Sequence, residues 1–301
     1  MNDVVAIVVT YNRLKMLKKC IFALQSQNYS CDILVVDNAS NDGTKEWIVS
    51  NFSNGELIYF NTEKNIGGAG GFNYGIKKAI DLDYKYVWLM DDDCIVNNDS
   101  LEKLMNADKM LGGPQNYGYL SSVVLWIDGT ECKMNRQKYK NNIVIISNCG
   151  TNNVVKVDQS TFVSILIPAI TIRKVGLPIK EFFIWGDDIE YTRRITIRNK
   201  IPSYMINDSF VVHEMKCNNG SNIALDDIDR IDRYKYAFRN ECYLYRKEGI
   251  KGMVYYLLKW FLNFFRVLFT RNDKKTKRLK VMVYGIFEGI IFNPRIEVLD
   301  R

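Results

Sequence analysis

Apolar and polar positions alternate in blocks along the first hundred residues, and the block lengths sort them into strands and helices. Val4–Val9 is an unbroken apolar run, as in a strand buried on both faces, and it stops at the polar Thr10-Tyr11-Asn12-Arg13. Leu14–Leu24 follows with apolar residues at helical spacing. Ile33–Val36 is a second buried strand ending at Asp37-Asn38. Asn41-Asp42-Gly43-Thr44 then turns into a helix through Val49, with Asp42 or Thr44 available to cap it. Leu57–Phe60 is a third strand, Gly71–Leu82 reads as a helix behind a glycine-rich turn, and Tyr86–Met90 is a fourth strand running into Asp91-Asp92-Asp93. This alternation predicts a parallel α/β sheet, in which ligands bind beyond the carboxyl ends of the strands. The clusters Thr10–Arg13, Asp37-Asn38, Asn65–Gly71 and Asp91–Asp93 are therefore expected along one sheet edge. Residues 115–170 look strand-rich and irregular, with apolar runs at Ile143–Ile146 and Phe162–Ile167, and from Ile223 the pattern is helical to the end. The chain divides, on this reading, into an α/β unit over residues 1–222 and a helical, basic region over 223–301.

Composition adds few constraints. With 301 residues, 47% hydrophobic and 25% charged, the chain is long enough for a large core. The first apolar run lacks a basic leader and is too short for a secretion signal. Seven cysteines (Cys20, Cys31, Cys94, Cys132, Cys149, Cys217, Cys242) form no CxxC pair, which points to a reducing, cytoplasmic setting and away from a zinc site. The net charge of +7 is local: residues 251–301 carry 11 Lys/Arg against 4 Asp/Glu, and the rest is balanced. Met253–Phe269 has Lys259, Asn263 and Arg266 on one helical face and a wide apolar face opposite, too short and too charged for a span. Arg271–Lys280 adds six basic residues. Residues 253–280 are thus expected at an anionic membrane surface, placing the protein peripherally at the inner face of the cell membrane; the competing expectation is a helix packed on the α/β unit or in a homo-oligomer. The apolar content argues against a nucleic-acid partner.

Three consecutive carboxylates after a buried strand repel one another and call for a cation or basic partners. Alternate residues of an extended segment face one way, so Asp91 and Asp93 can share a Mn²⁺ or Mg²⁺ ion; a solvated acidic turn is the plain alternative. A second acidic cluster, Trp185-Gly186-Asp187-Asp188-Ile189-Glu190, offers a carboxylate for general-base catalysis, while Glu190 suits an (i, i+4) pair with the arginines behind it. His213 is the only histidine, either a structural residue or a nitrogen ligand beside two carboxylates. Asn65-Ile66-Gly67-Gly68-Ala69-Gly70-Gly71 lacks the third glycine of a dinucleotide fingerprint and the Lys-Ser/Thr of a P-loop. It reads as backbone passing close to a polar ligand before a helix whose free N–H groups favour phosphate, or as a loop packed tightly on the sheet.

Taken together, Val8–Arg13, Val35–Thr44, Asp91–Asp93 and Gly186–Glu190 resemble, in order and spacing, the inverting family 2 glycosyltransferases of GT-A fold, over roughly residues 4–215. The resemblance implies a Rossmann-like mixed sheet flanked by helices, with a helical C-terminal segment. It implies that Thr10, Tyr11 and Arg13 line a nucleotide pocket with Asp92, that Asp37 contacts the base, and that Asn65 and Gly68 lie near the diphosphate. Asp91 and Asp93 would hold the metal, Asp188 would be the base beside Asp187, and Trp185 would meet the acceptor. The glycine-rich segment, with His213 completing the metal site, is most similar to bacterial galactofuranosyltransferases. That implies a UDP-sugar donor and a glycan or glycolipid acceptor in cell-surface glycan synthesis. Gly186 departs from the pattern, where Trp directly precedes the acidic pair. A rhamnosyltransferase using dTDP-rhamnose shares much of the same signature, and a non-catalytic membrane-associated binding protein is the more remote alternative. A sugar nucleotidyltransferase would need a basic glycine-rich loop near the N-terminus, and Thr10–Lys18 has no glycine.

Overall fold

The computed structural model describes residues 2–53, 55–139 and 154–299, so the expected strand at Ile143–Ile146, and Cys149, lie outside the described residues. The chain runs β1 (Val4–Thr10), α1 (Leu14–Gln25), β2 (Asp32–Asp37), α2 (Thr44–Asn51), β3 (Ile58–Asn61), α3 (Gly67–Asp81), β4 (Tyr86–Asp91), β5 (Cys94–Val96) and α4 (Ser100–Met110). It continues through β6 (Leu120–Leu125), β7 (Lys138–Tyr139), β8 (Val154–Gln159), β9 (Ile165–Pro168), α5 (Ala169–Val175), α6 (Asp187–Arg193) and β10 (Tyr204–His213). A helical region closes it: α7 (Ile228–Ile231), α8 (Tyr234–Lys247), α9 (Ile250–Phe269) and α10 (Lys275–Ile291).

Among the described residues the strands form one mixed sheet in the order β3-β2-β1-β4-β9-β6-β10-β8-β7, with β5 paired to β10. β1 pairs in parallel with β2 on one side and β4 on the other, so the strand order reverses at β1. Its seven residues are all buried because helices cover both faces. One face packs on α1 and α4 through Leu17, Cys20, Ile21, Leu24, Leu101 and Leu104. The other packs on α3 and α5 through Phe72, Ile76, Ala79, Ile80 and Ile172. Register does the rest. Thr10 lies opposite Asp37, Val9 opposite Asp91, and Asp37 opposite Asn61, so the polar residues that end these strands share one sheet edge, as their periodicity predicts.

Several boundaries differ from the sequence reading, for physical reasons. The helix expected from Gly71 starts at Gly67, so the glycines belong to it rather than to a preceding turn. Close approach to the sheet accounts for this: a Cβ on Gly71 would stand 2.5 Å from Val9 Cγ1, and one on Gly75 2.8 Å from Ile7 Cγ2. The apolar run Phe162–Ile167 becomes strand only from Ile165, because Ser164 has φ 54° and breaks the extension. The C-terminal helices stop at Ile291, just before Asn293-Pro294, and the last segment returns to the α/β unit. There Leu177 N–H donates to Glu297 O (2.8 Å), and Lys77 pairs with the Glu297 carboxylate (2.6 Å). The N-cap of α2 is Gly43 (φ 86°), which has no side chain to cap with, rather than Asp42 or Thr44; Asp42, one residue earlier, accepts from Thr44 N–H and Oγ1–H, and its other oxygen accepts from Leu14 N–H at the start of α1.

The close approach of α3 generates a differential expectation. Gly71→Ala gains up to ~1 kcal/mol in helix propensity but overpacks Val9 at roughly 1–3 kcal/mol, for a net loss of about 1 kcal/mol. Gly68, whose added Cβ meets nothing within 4 Å, tolerates the same change with no loss. Urea titration of the two variants reads the difference.

Candidate active site

The site grows from the strand ends. β4 leaves Asp91 at its last position, and the turn that follows places Asp92 and Asp93 under the β1–α1 loop. Asp92 Oδ2 accepts from Thr10 Oγ1–H (2.7 Å), and Arg13 spans the two acids, with Nη1 3.1 Å from Asp92 and Nη2 2.7 Å from Asp93. β5 then pairs antiparallel with the end of β10, with Cys94 opposite His213. That register brings the imidazole Nε2 to 3.1 Å from Asp93 Oδ1 across 120 residues of sequence. His213 Nδ1 lies 2.8 Å from Asn135 Oδ1, so Nδ1–H donates there and Nε2 faces the carboxylates.

These charges perturb one another. Asp91 is pushed up to about 7, by desolvation first and by the charge of Asp93 next, with His213 opposing. Desolvation also lifts Asp92 to about 6 against the pull of Arg13 and Thr10. Asp93 behaves oppositely: burial would raise it, but the hydrogen bond and charge of His213, with Arg13, hold it below the usual carboxylate range. Burial works against the His213 cation, yet its hydrogen bond to Asp93 and the nearby acids raise it to about 10.

The second acidic cluster begins α6. Gly186 has φ 85° and stands at the helix N-cap, a backbone position that favours glycine, which is the physical reason for the departure from the Trp-acid-acid pattern. Asp187 is raised well above its ordinary value by burial and then by Asp188. Asp188 is raised to about 6 by desolvation, partly offset by the Ile189 N–H that donates to its Oδ1 (2.7 Å). The two clusters register each other's charge: Asp188 contributes to the shift of Asp91, and Asp91 to that of Asp187. Glu190 is fully buried and pairs with Arg194, which also donates to Val175 O and Leu177 O, a structural use.

The remaining candidates divide. Tyr11 is 45% exposed at the rim beside Arg13. Asn65 Oδ1 accepts from Gly67 N–H (2.8 Å), and Gly68 opens on free space, at the start of α3. Asp37 is completely buried with both oxygens engaged, one by Ser40 N–H (2.8 Å) and one by Tyr59 Oη–H (2.7 Å), so it shapes its own loop. Trp185 packs edge-on against Tyr234 (5.0 Å between ring centroids) and lines a cleft of about 220 Å³ with Phe238, Glu241, Lys259 and Asn263. Asn135 was not legible in the sequence. It sits in a short 3₁₀ turn with no motif around it, and only the β5–β10 pairing gives it a partner.

For a divalent ion the donor set has a compact half and an outlying member. Among the described residues, Asp93, Cys94 and His213 have donor atoms within 4.8 Å of one another, and Asp91 stands outside that group. Desolvation keeps the fully buried Cys94 thiol protonated, well above its ordinary value, which leaves oxygen and imidazole as donors. Asp91, short of counter-charge, the ionised Asp93 and an imidazole with its Nδ1–H committed to Asn135 fit a hard cation such as Mg²⁺ or Mn²⁺.

The same shifts set a pH dependence of folding. Asp91, Asp92 and His213 all hold protons more tightly folded than unfolded. Between about pH 5 and 8 the folded chain therefore binds more protons, and stability falls as pH rises. Calorimetry in chelator should give a higher Tm at pH 5.5 than at pH 8.

Residues 5–111 match the family model Glycosyl transferase family 2. Over 274 residues the chain is 24% identical to the galactofuranosyltransferase GlfT1 of Mycolicibacterium smegmatis, covering 83% of this chain and 85% of that protein. Among solved structures, S. aureus TarS 1–349 in complex with UDP-GlcNAc superposes with a TM-score of 0.61 at 14% identity, over 94% of this chain and 81% of that one. GalNAc-T7 with UDP, GalNAc and Mn²⁺ gives the same TM-score and identity over 81% of this chain, which spans half of that longer chain (50%). Sheet order and superposition agree: the chain has a GT-A fold, and its residues 5–111 are similar to glycosyltransferase family 2.

Proposed function

We propose that this glycosyltransferase is metal-dependent and inverting, and that it transfers galactofuranose from UDP-galactofuranose to a hydroxyl of a lipid-linked or polysaccharide acceptor. The observation that carries the reading is the pairing of two acid clusters at one sheet edge, one beside an imidazole and the other headed by a carboxylate raised to about 6. The galactofuranosyl donor is supported by the GlfT1 relative and by the glycine-rich start of α3.

Within that reading each side chain has a task. Asp93 and His213, with Asp91, would hold Mn²⁺ or Mg²⁺. When bound, such an ion neutralises charge on the diphosphate leaving group. Thr10 and Arg13 keep Asp92 and Asp93 fixed beneath the nucleotide. The N–H groups at the start of α3, near Gly67 and Gly68, favour phosphate oxygens. Asp188 accepts the acceptor's proton as its hydroxyl attacks the anomeric carbon on the face opposite the departing UDP, so the configuration inverts and no covalent enzyme intermediate forms. Its neighbour Asp187 is raised well above the ordinary carboxylate value by burial and then by the charge of Asp188.

Asp188→Asn should lower transfer about 10²–10⁴-fold while leaving UDP binding within twofold, and the wild-type rate should fall below about pH 6 as Asp188 protonates. Retained turnover would refute the assignment. Turnover of UDP-galactofuranose, UDP-galactopyranose and dTDP-rhamnose, each with Mn²⁺ and with chelator, tests the donor. Preference for dTDP-rhamnose would overturn the galactofuranose assignment and leave the base intact.

We further propose that residues 253–280 rest on an anionic membrane. No helix among the described residues is long and apolar enough to cross one. Yet α9 packs inward through Tyr256, Trp260, Phe264 and Val267, with half-exposed Lys259 paired to Glu241 of α8, and exposes Val254, Leu258, Phe261, Leu262, Phe265 and Phe269 beside Arg266. Exposed Lys274, Lys275 and Lys280 follow, so a second, equally basic copy is a poor partner for this face. Sedimentation with phosphatidylserine vesicles should show salt-sensitive binding, weakened by Lys274→Glu with Lys275→Glu. A concentration-dependent dimer that ignores vesicles would overturn the membrane reading.

A further inference from the structure

The segment that delivers the second acid cluster is strained. Phe183 and Trp185 have φ of 63° and 65°, a left-handed backbone that large side chains rarely adopt. Phe183 is the centre of a γ-turn, with Ile184 N–H donating to Phe182 O (2.7 Å). Such residues cost about 1–3 kcal/mol each and persist only where their surroundings over-determine them. Gly186 follows, and then Asp187 and Asp188 open α6. Any relaxation of the turn therefore displaces the carboxylates.

One side chain from the far end of the sequence holds the turn. Asn240, on α8 and 1% exposed, donates through Nδ2 to Phe182 O (3.0 Å), Ile184 O (3.2 Å) and Trp185 O (2.8 Å). Its Oδ1 accepts from Arg239 Nε (3.0 Å), which settles the direction the amide faces, and Arg239 Nη2 donates to Glu181 O (2.7 Å). From the opposite side, Phe183 O accepts from Ala69 N–H (3.2 Å) in the first turn of α3, and a Cβ on Gly67 would lie 2.1 Å from that oxygen. The turn is clamped between the glycine-rich helix and α8. Ordinary loop packing does not require three carbonyls of a strained turn to converge on one buried amide.

We propose that Asn240 is a positioning residue for Asp188, and that the C-terminal helices complete the active site by supplying it. The inference rests on the assignment of Asp188 as the base. The test uses the full chain with Asn240→Ala and Asn240→Ser, following UDP release from UDP-galactofuranose, the KM for that donor, UDP affinity by calorimetry, and Tm. A misplaced base should cut kcat about tenfold or more while UDP affinity stays within about twofold and unfolding remains cooperative. Folded variants with kcat near the wild-type value would overturn the proposal, as would parallel losses of kcat and UDP affinity. If Asn240→Ala does not fold, Asn240→Ser, which keeps one hydroxyl donor, is read by the same criteria. A wild-type chain that releases nucleotide from no sugar nucleotide refutes the transferase reading and this inference with it.

Discussion

Carboxylates gathered at the ends of buried strands set the constraint on which the rest of this molecule depends. Asp91, Asp92 and Asp93 leave β4 one after another, and Asp187 and Asp188 approach them from α6. In a partly desolvated cleft such groups cannot all ionise without counter-charge. The fold answers in three ways. Arg13 reaches over from the β1–α1 loop, Thr10 donates a hydroxyl, and His213 arrives from β10. What is still unanswered appears as raised proton affinity at Asp91, Asp92 and Asp188.

The surrounding architecture follows from bringing those groups together without burying them unpaired. Parallel pairing of β1 with β2 and β4 aligns three strand ends, and the antiparallel β5–β10 pair delivers the imidazole to the same place. α3 lies close enough to β1 that only glycine fits at Gly71 and Gly75, which carries the N-terminal turn of that helix toward the same edge. Each of these placements trades local preference for position: glycine weakens a helix interior, and left-handed Phe183 and Trp185 strain a turn. Such violations cluster where function is concentrated.

The helical region is tied to the α/β unit by directed polar bonds as well as by apolar contact. Asn240 and Arg239 hold the turn before α6, Arg193 of α6 pairs with Glu248, and Glu297 returns to Lys77 on α3. Meanwhile α9 packs on the protein through Tyr256, Trp260, Phe264 and Val267 and leaves a second apolar face open. A single region thus holds the α/β unit through polar bonds and presents an exposed apolar face outside.

Sequence alone determined the elements of the first ninety residues, the edge on which their polar ends meet, and the residue types able to do acid-base and cation chemistry there. These follow from periodicity and from the parallel order of strands, which are local properties. It also determined the segregation of basic charge in the last fifty-odd residues. Tertiary structure decided which of those groups touch. Arg13 turned out to bridge Asp92 and Asp93, Asp37 to be engaged by Ser40 and Tyr59, and Asp91 to stand apart from the compact Asp93–His213 pair. Asn135 and Asn240 carry no motif at all, because an amide acquires its role only from the partners that a distant strand or helix brings within 3 Å or so of it. Spacing along a chain encodes the faces of helices and strands; hydrogen bonds between residues 58 or 78 positions apart depend on register and packing, which no short window of sequence contains.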